Sequence, residues 1–226
     1  MQIFILGMHR SGTSLTAHLL NMMGIYFGPE GSSTGANIEN PKGFWERRDV
    51  RTINDQVLQS NGFDWYKISE FEGIHQFSEE SIKTFDKEAA NLILNLDAHR
   101  PWFLKEPRFC INFDLWKKHL EIPLIILCFR HPIEVARSLQ ARNGFNIEFG
   151  LELWEKYNKH VLQSINGIPR ISINHAQTVN NPTQVVDSIY NFLKYYNIPH
   201  LRIPSENELK VFIAKSLYRN KLNDQD

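Results

Sequence analysis

The run Gly7-Met8-His9-Arg10-Ser11-Gly12-Thr13-Ser14 is the part of this chain best equipped for chemistry. It follows an apolar stretch, residues 3–6, and precedes a helical pattern. Glycines at its first and sixth positions let successive backbone N–H groups curl around an anion, and the helix N-terminus adds partial positive charge there. The loop that grips nucleoside triphosphates carries lysine directly after its second glycine, followed by a hydroxyl residue for Mg²⁺. Here Thr13 holds the lysine's slot, and the positive charge sits earlier, on Arg10. Such a loop cradles a terminal oxyanion but lacks the clamp for a triphosphate tail. A turn that merely joins strand to helix is the plainer alternative; strand, loop and helix in this order speak against it.

A second equipped run begins where the apolar residues 124–129 end, in Arg130-His131-Pro132-Ile133-Glu134-Val135-Ala136-Arg137-Ser138. An arginine at the carboxyl end of a strand offers a planar fork of donors, and Ser138, in the helix that follows, can reach the same phosphate. Lys105 closes a shorter strand, residues 102–105, ahead of Glu106-Pro107-Arg108.

Arg10-Ser11-Gly12-Thr13-Ser14 resembles the 5′-phosphosulfate loop of the sulfotransferases that use 3′-phosphoadenosine 5′-phosphosulfate (PAPS). Arg130 to Ser138 resembles that family's 3′-phosphate element, with proline two residues and serine eight residues after the arginine. Lys105-Glu106-Pro107-Arg108 is similar to the Lys-acidic-Pro segment of tyrosylprotein and many bacterial sulfotransferases. The stretch from Arg170 through Asn181-Pro182 to Phe192-Leu193 resembles the family's late strand, Asx-Pro turn and helix. These matches run from Gln2 to Leu193 in family order.

The resemblance implies a donor, PAPS, held by His9, Arg10, Ser11, Gly12, Thr13, Ser14, Arg130 and Ser138, with Arg10 and Lys105 stabilising the transferred group and the leaving side. Glu46, in Asn40-Pro41-Lys42-Gly43-Phe44-Trp45-Glu46, is the first choice for the base, with Glu39 and Glu106 behind it. The histidine base of the cytosolic phenol and steroid enzymes needs Lys-x-His, and this chain has Lys105-Glu106-Pro107. The acceptor implied is a hydroxyl, of a carbohydrate or glycolipid, and no metal is required. Arg219 and Lys221 resemble in position the basic C-terminal loop that closes over the donor. Plainer readings stand beside these: Glu46 paired with Arg47 or Arg48, Glu106 paired with Arg108, Lys105 a solvated strand end, His9 a loop hydrogen-bonding residue, Trp45, Trp65 and Tyr66 core rather than stacking platforms. A P-loop small-molecule kinase and a non-catalytic nucleotide-binding module are the rival functions.

The elements that must position these residues alternate along the chain. Helical periodicity marks residues 14–23, 49–60, 78–99, 133–141, 151–165, 183–196 and 205–214, and strands are expected at 3–6, 102–105, 124–129 and 170–174. Strands separated by helices imply a three-layer α/β/α fold with a central parallel sheet, of the P-loop, sulfotransferase-like kind, spanning 1–226 as one domain with a frayed tail at 220–226. With 25 basic and 25 acidic residues in 226, net charge is zero, which disfavours nucleic-acid binding. No apolar run approaches the roughly 20 residues of a membrane span. Cys110 and Cys128 form no CxxC pair and read as reduced thiols of a cytoplasmic protein, and the nine histidines show no metal-ligand spacing. Oligomeric state has no signature in the sequence.

Overall fold

The computed structural model describes residues 1–29, 31–35 and 43–213. Glu39, Arg219, Lys221 and the tail therefore lie outside the described residues. Four parallel strands, β1 (Gln2–Leu6), β2 (Trp102–Lys105), β3 (Pro123–Phe129) and β4 (Arg170–Asn174), form one sheet in the order β2-β1-β3-β4. The helices are α1 (Thr13–Met22), α2 (Arg48–Gln59), α3 (Glu79–Asp97), α4 (Phe109–Lys117), α5 (Pro132–Asn143), α6 (Ile147–Ser164), α7 (His175–Asn180), α8 (Pro182–Tyr195) and α9 (Glu206–Phe212).

Side-chain alternation along the strands divides the core in two. Phe4 and Leu6 of β1, with Ile125 and Leu127 of β3, pack against Val50, Phe85, Phe109, Leu139 and Leu153 on one face. Ile3 and Ile5, with Leu124 and Ile126, pack against Ala17 and Leu20 of α1 and Val185, Ile189 and Leu193 of α8 on the other. Both faces of the sheet are covered, as parallel strands require.

The helix ends follow local chemistry. Ser78 caps α3 by accepting from the N–H of Ser81, and Glu79 and Glu80 occupy its first turn. Ser205 and Glu208 make a reciprocal capping box at α9. Pro132 and Pro182 open α5 and α8. Two helices were not expected from periodicity. In α4 nearly every residue is buried, so no polar face interrupts the apolar pattern; α7 is only six residues long. In α6 the start lies at Ile147 rather than residue 151, because Asn146 caps it by accepting from the N–H of Phe149, and Gly150 continues the helix instead of stopping it. Among the described residues no helix is long and apolar enough to cross a membrane.

Candidate active site

Each chemically equipped residue sits at or just past the carboxyl end of a strand: Gly7 after β1, Lys105 at the end of β2, Arg130 after β3 and His175 after β4. That edge is where open α/β sheets place their ligands. Gly7 starts the loop under a tight ceiling, since a β-carbon there would meet the carbonyl of Cys128 at 2.5 Å. Its N–H donates to Sγ of Cys110. Arg10 holds a left-handed backbone at φ 70° and Gly12 one at φ 88°. Gly12 caps α1 without any side chain closing the helix N-terminus.

One flank of the loop joins the second equipped run. Arg10 Nε donates to Oγ of Ser138 at 2.7 Å, and Arg130 Nη1 donates to the carbonyl of Arg10 at 3.3 Å. Arg130 is steadied by Glu134, whose Oε2 accepts from Nε at 2.7 Å; both side chains are buried. The arginine and the serine thus face the glycine turn, as the sequence requires if one ligand is to touch both.

The other flank gathers Lys105, Ser14 and Glu46. Lys105 Nζ donates to Glu46 Oε1 at 2.6 Å, to the carbonyl of Phe44 at 3.0 Å and to Ser14 Oγ at 3.2 Å. Lys105 is no solvated strand end; its side chain is 2% exposed. Glu46 does not pair with Arg47, which binds Asp49 instead. Glu106 is fully buried: its carboxylate accepts from Asn54 Nδ2 at 2.8 Å, from the N–H of Arg108 and from the Arg108 guanidinium. Burial pushes its pKa up, against the pull of Arg108. Asn54 in turn accepts from Asn112 and Trp116, so Glu106 belongs to a buried polar network between α2 and α4.

The remaining sequence candidates divide. Ser11 and Thr13 are buried within the loop. The His9 ring lies 4.6 Å from Trp65 and edge-on to Tyr157, and burial followed by nearby Arg108 holds its pKa well below the usual histidine value. His131 is exposed at the start of α5. Trp45 packs on His18 and Phe27, as core rather than platform. Both cysteines are buried, with pKa values pushed up, that of Cys128 to about 12.

His175 is the site neighbour that motif reading missed. Its Nδ1 lies 2.7 Å from where a β-carbon on Gly12 would stand. Burial, then the charge of Arg130, lowers its pKa to about 3. Its only signal in the sequence is position, directly after a strand.

A parallel four-stranded α/β sheet with a glycine-bounded loop between β1 and α1 gives the chain a P-loop-like fold. The chain belongs to the sulfotransferase family, whose model matches residues 2–196. It is a transferase of that family. Its fold is similar to the sulfotransferase domain from the Synechococcus PCC 7002 olefin synthase, at 17% identity and TM-score 0.58, over 99% of this chain and 81% of that one. Similar too are sulfotransferase STF9 from Mycobacterium avium (14% identity, TM-score 0.54, 98% and 69%) and the sulfotransferase domain from the curacin biosynthetic pathway (18%, 0.52, 92% and 75%). Among curated proteins, none matches the chain at a significant level.

Proposed function

We propose that the protein transfers a sulfonate from PAPS to an acceptor hydroxyl. The observation that carries this reading is the contact of the two anion-binding runs through Arg10, Ser138 and Arg130. A ligand with phosphates on both sides of one ribose can touch both; a triphosphate chain has no lysine at Thr13 to hold it. The backbone N–H groups of Gly12, Thr13 and Ser14 at the start of α1 serve the 5′ end, and Arg130 with Ser138 takes the 3′-phosphate.

The donor supplies a sulfonate joined to phosphate through one oxygen. Glu46 takes the proton of the acceptor hydroxyl as the new O–S bond forms. Arg10 and Lys105 stabilise the charge on the equatorial oxygens and on the 5′-phosphate oxygen, which keeps the electron pair of the breaking S–O bond. Preorganised cations and N–H groups do this work without a metal. Arg10→Ala and Lys105→Met are each expected to cut turnover by about 10²–10³, the cost of losing one oxyanion donor.

The acceptor reading is a carbohydrate or glycolipid hydroxyl, which rests on the Lys-acidic-Pro segment. Because two similar structures come from a biosynthetic pathway and an olefin synthase, aliphatic alcohols belong in the test beside sugars. The test is [³⁵S]sulfonate transfer from PAPS to both panels, with thermal unfolding in the desulfonated nucleotide, PAP, against ATP–Mg²⁺. PAP at 100 times its dissociation constant is expected to add about 2.7 kcal/mol. Stabilisation by ATP–Mg²⁺ alone overturns the donor, and PAP binding without transfer to any acceptor points to a non-catalytic nucleotide module.

A further inference from the structure

Lys105 has no donor to spare. An ammonium offers three N–H groups, and the three acceptors Glu46 Oε1, Phe44 O and Ser14 Oγ surround it. The pair it makes with Glu46 is buried, the two side chains 2% and 11% exposed. Ser14 lies in the first turn of α1, beside the unclosed helix N-terminus, and its own hydroxyl donates to the Phe44 carbonyl at 3.1 Å. The residues proposed for the leaving side and for the base thus hold each other through Glu46 Oε1, and Lys105 has no N–H left for a reactant in this arrangement.

We propose that the Lys105–Glu46 pair is a latch that the sulfonate donor opens. This rests on the donor assignment above and concerns the order in which the site is armed. An anion entering the Gly7–Ser14 loop competes for the ammonium next to Ser14. Lys105 exchanges the Glu46 carboxylate for oxygens of the 5′-phosphosulfate, so the ammonium stays paired while the nearly buried carboxylate, deprived of its cation, becomes the stronger base. The carboxylate oxygen it releases is then open to hydrogen-bond the acceptor hydroxyl and take its proton. Before donor binding, an acceptor meets a carboxylate already engaged by the lysine. Productive binding is therefore ordered, donor first.

The test is a double-mutant cycle read by PAP affinity. Glu46→Gln weakens the competitor for Lys105 without changing shape. It is expected to tighten PAP binding about tenfold, the worth of one charge-assisted hydrogen bond, while turnover falls at least about 10²-fold. In a Lys105→Met background the same Glu46→Gln change is expected to alter PAP affinity by less than about twofold, since nothing remains to be released. Lys105→Gln, which keeps a neutral donor to Glu46, replaces Lys105→Met if the latter does not fold.

Equal tightening in both backgrounds means plain repulsion between Glu46 and the nucleotide and overturns the latch. So does a loss of affinity on Glu46→Gln, the result for a pair that only braces the loop. In both cases the donor assignment stands. If the wild-type chain binds no PAP, the donor assignment fails and the latch with it.

Discussion

Gly12 shows how little room single residues leave at this site. Its φ of 88° lies in the left-handed region, and a β-carbon there would meet Nδ1 of His175 at 2.7 Å. Gly12→Ala therefore combines backbone strain with a clash against a buried ring. It is expected to cost about 1–3 kcal/mol of stability and to remove the shift in melting temperature that PAP gives the wild type, both read by thermal unfolding. His175 itself carries a pH signature. Its native pKa, about 3, lies below the unfolded value near 6.5. Between these limits the unfolded chain binds the proton the native one refuses, so stability is full above the unfolded value and is lost as pH falls toward the native one. From pH 7 to pH 5 the loss from this ring is about 2 kcal/mol. Denaturant titrations at the two pH values should show a smaller drop for His175→Gln than for the wild type; an equal drop would count against this account. The ring was invisible to motif reading because its role comes from touching Gly12 across the chain. Arg10, Arg130 and Ser138, singled out by residue type and spacing, are brought together by the fold. The partner of Glu46 could not be read in the sequence, which offers Arg47 and Arg48 next door, while Lys105 reaches it from the end of β2.

At the scale of elements, the strands read cleanly, since short apolar runs between turn residues have few other uses. Arg170–Asn174 matches its expected span, and β3 gains only Pro123. Helices depended on having a wet face. α3 shows a buried stripe of Phe85, Ala89, Leu92, Ile93 and Leu96 and was readable, whereas α4 is buried nearly all round and lost its periodicity. Gly150, inside α6, is a contact. α5 and α6 pack so closely that a β-carbon at Gly150 would lie 2.8 Å from Cα and 2.9 Å from Cβ of Ala136. Gly150→Ala is expected to destabilise the protein by about 1–3 kcal/mol by overpacking, measured by the denaturant midpoint. Because α5 carries both Glu134, which steadies Arg130, and Ser138, the same substitution should weaken PAP binding.

Across the whole molecule, one strand organises both cores and the loop. β1 sits inside the sheet between β2 and β3, in a register that pairs Phe4 with Leu104 and with Ile125. It sends Phe4 and Leu6 to one core and Ile3 and Ile5 to the other. A slip of one residue exchanges the two sets and moves Gly7 away from its place beneath Cys128. Inserting one alanine between Phe4 and Ile5 is therefore expected to abolish cooperative folding outright, seen as loss of a thermal transition, rather than to give a folded but inactive protein.

The register of β1 has a practical corollary for anyone preparing the enzyme. Since the same hydrogen-bonded ladder that seats the hydrophobic side chains also aims the glycine turn, no slipped pairing keeps a sound interior with a misdirected mouth. Specific activity of a purified batch should thus track its fraction of correctly assembled molecules, and serve as a gauge of refolding yield.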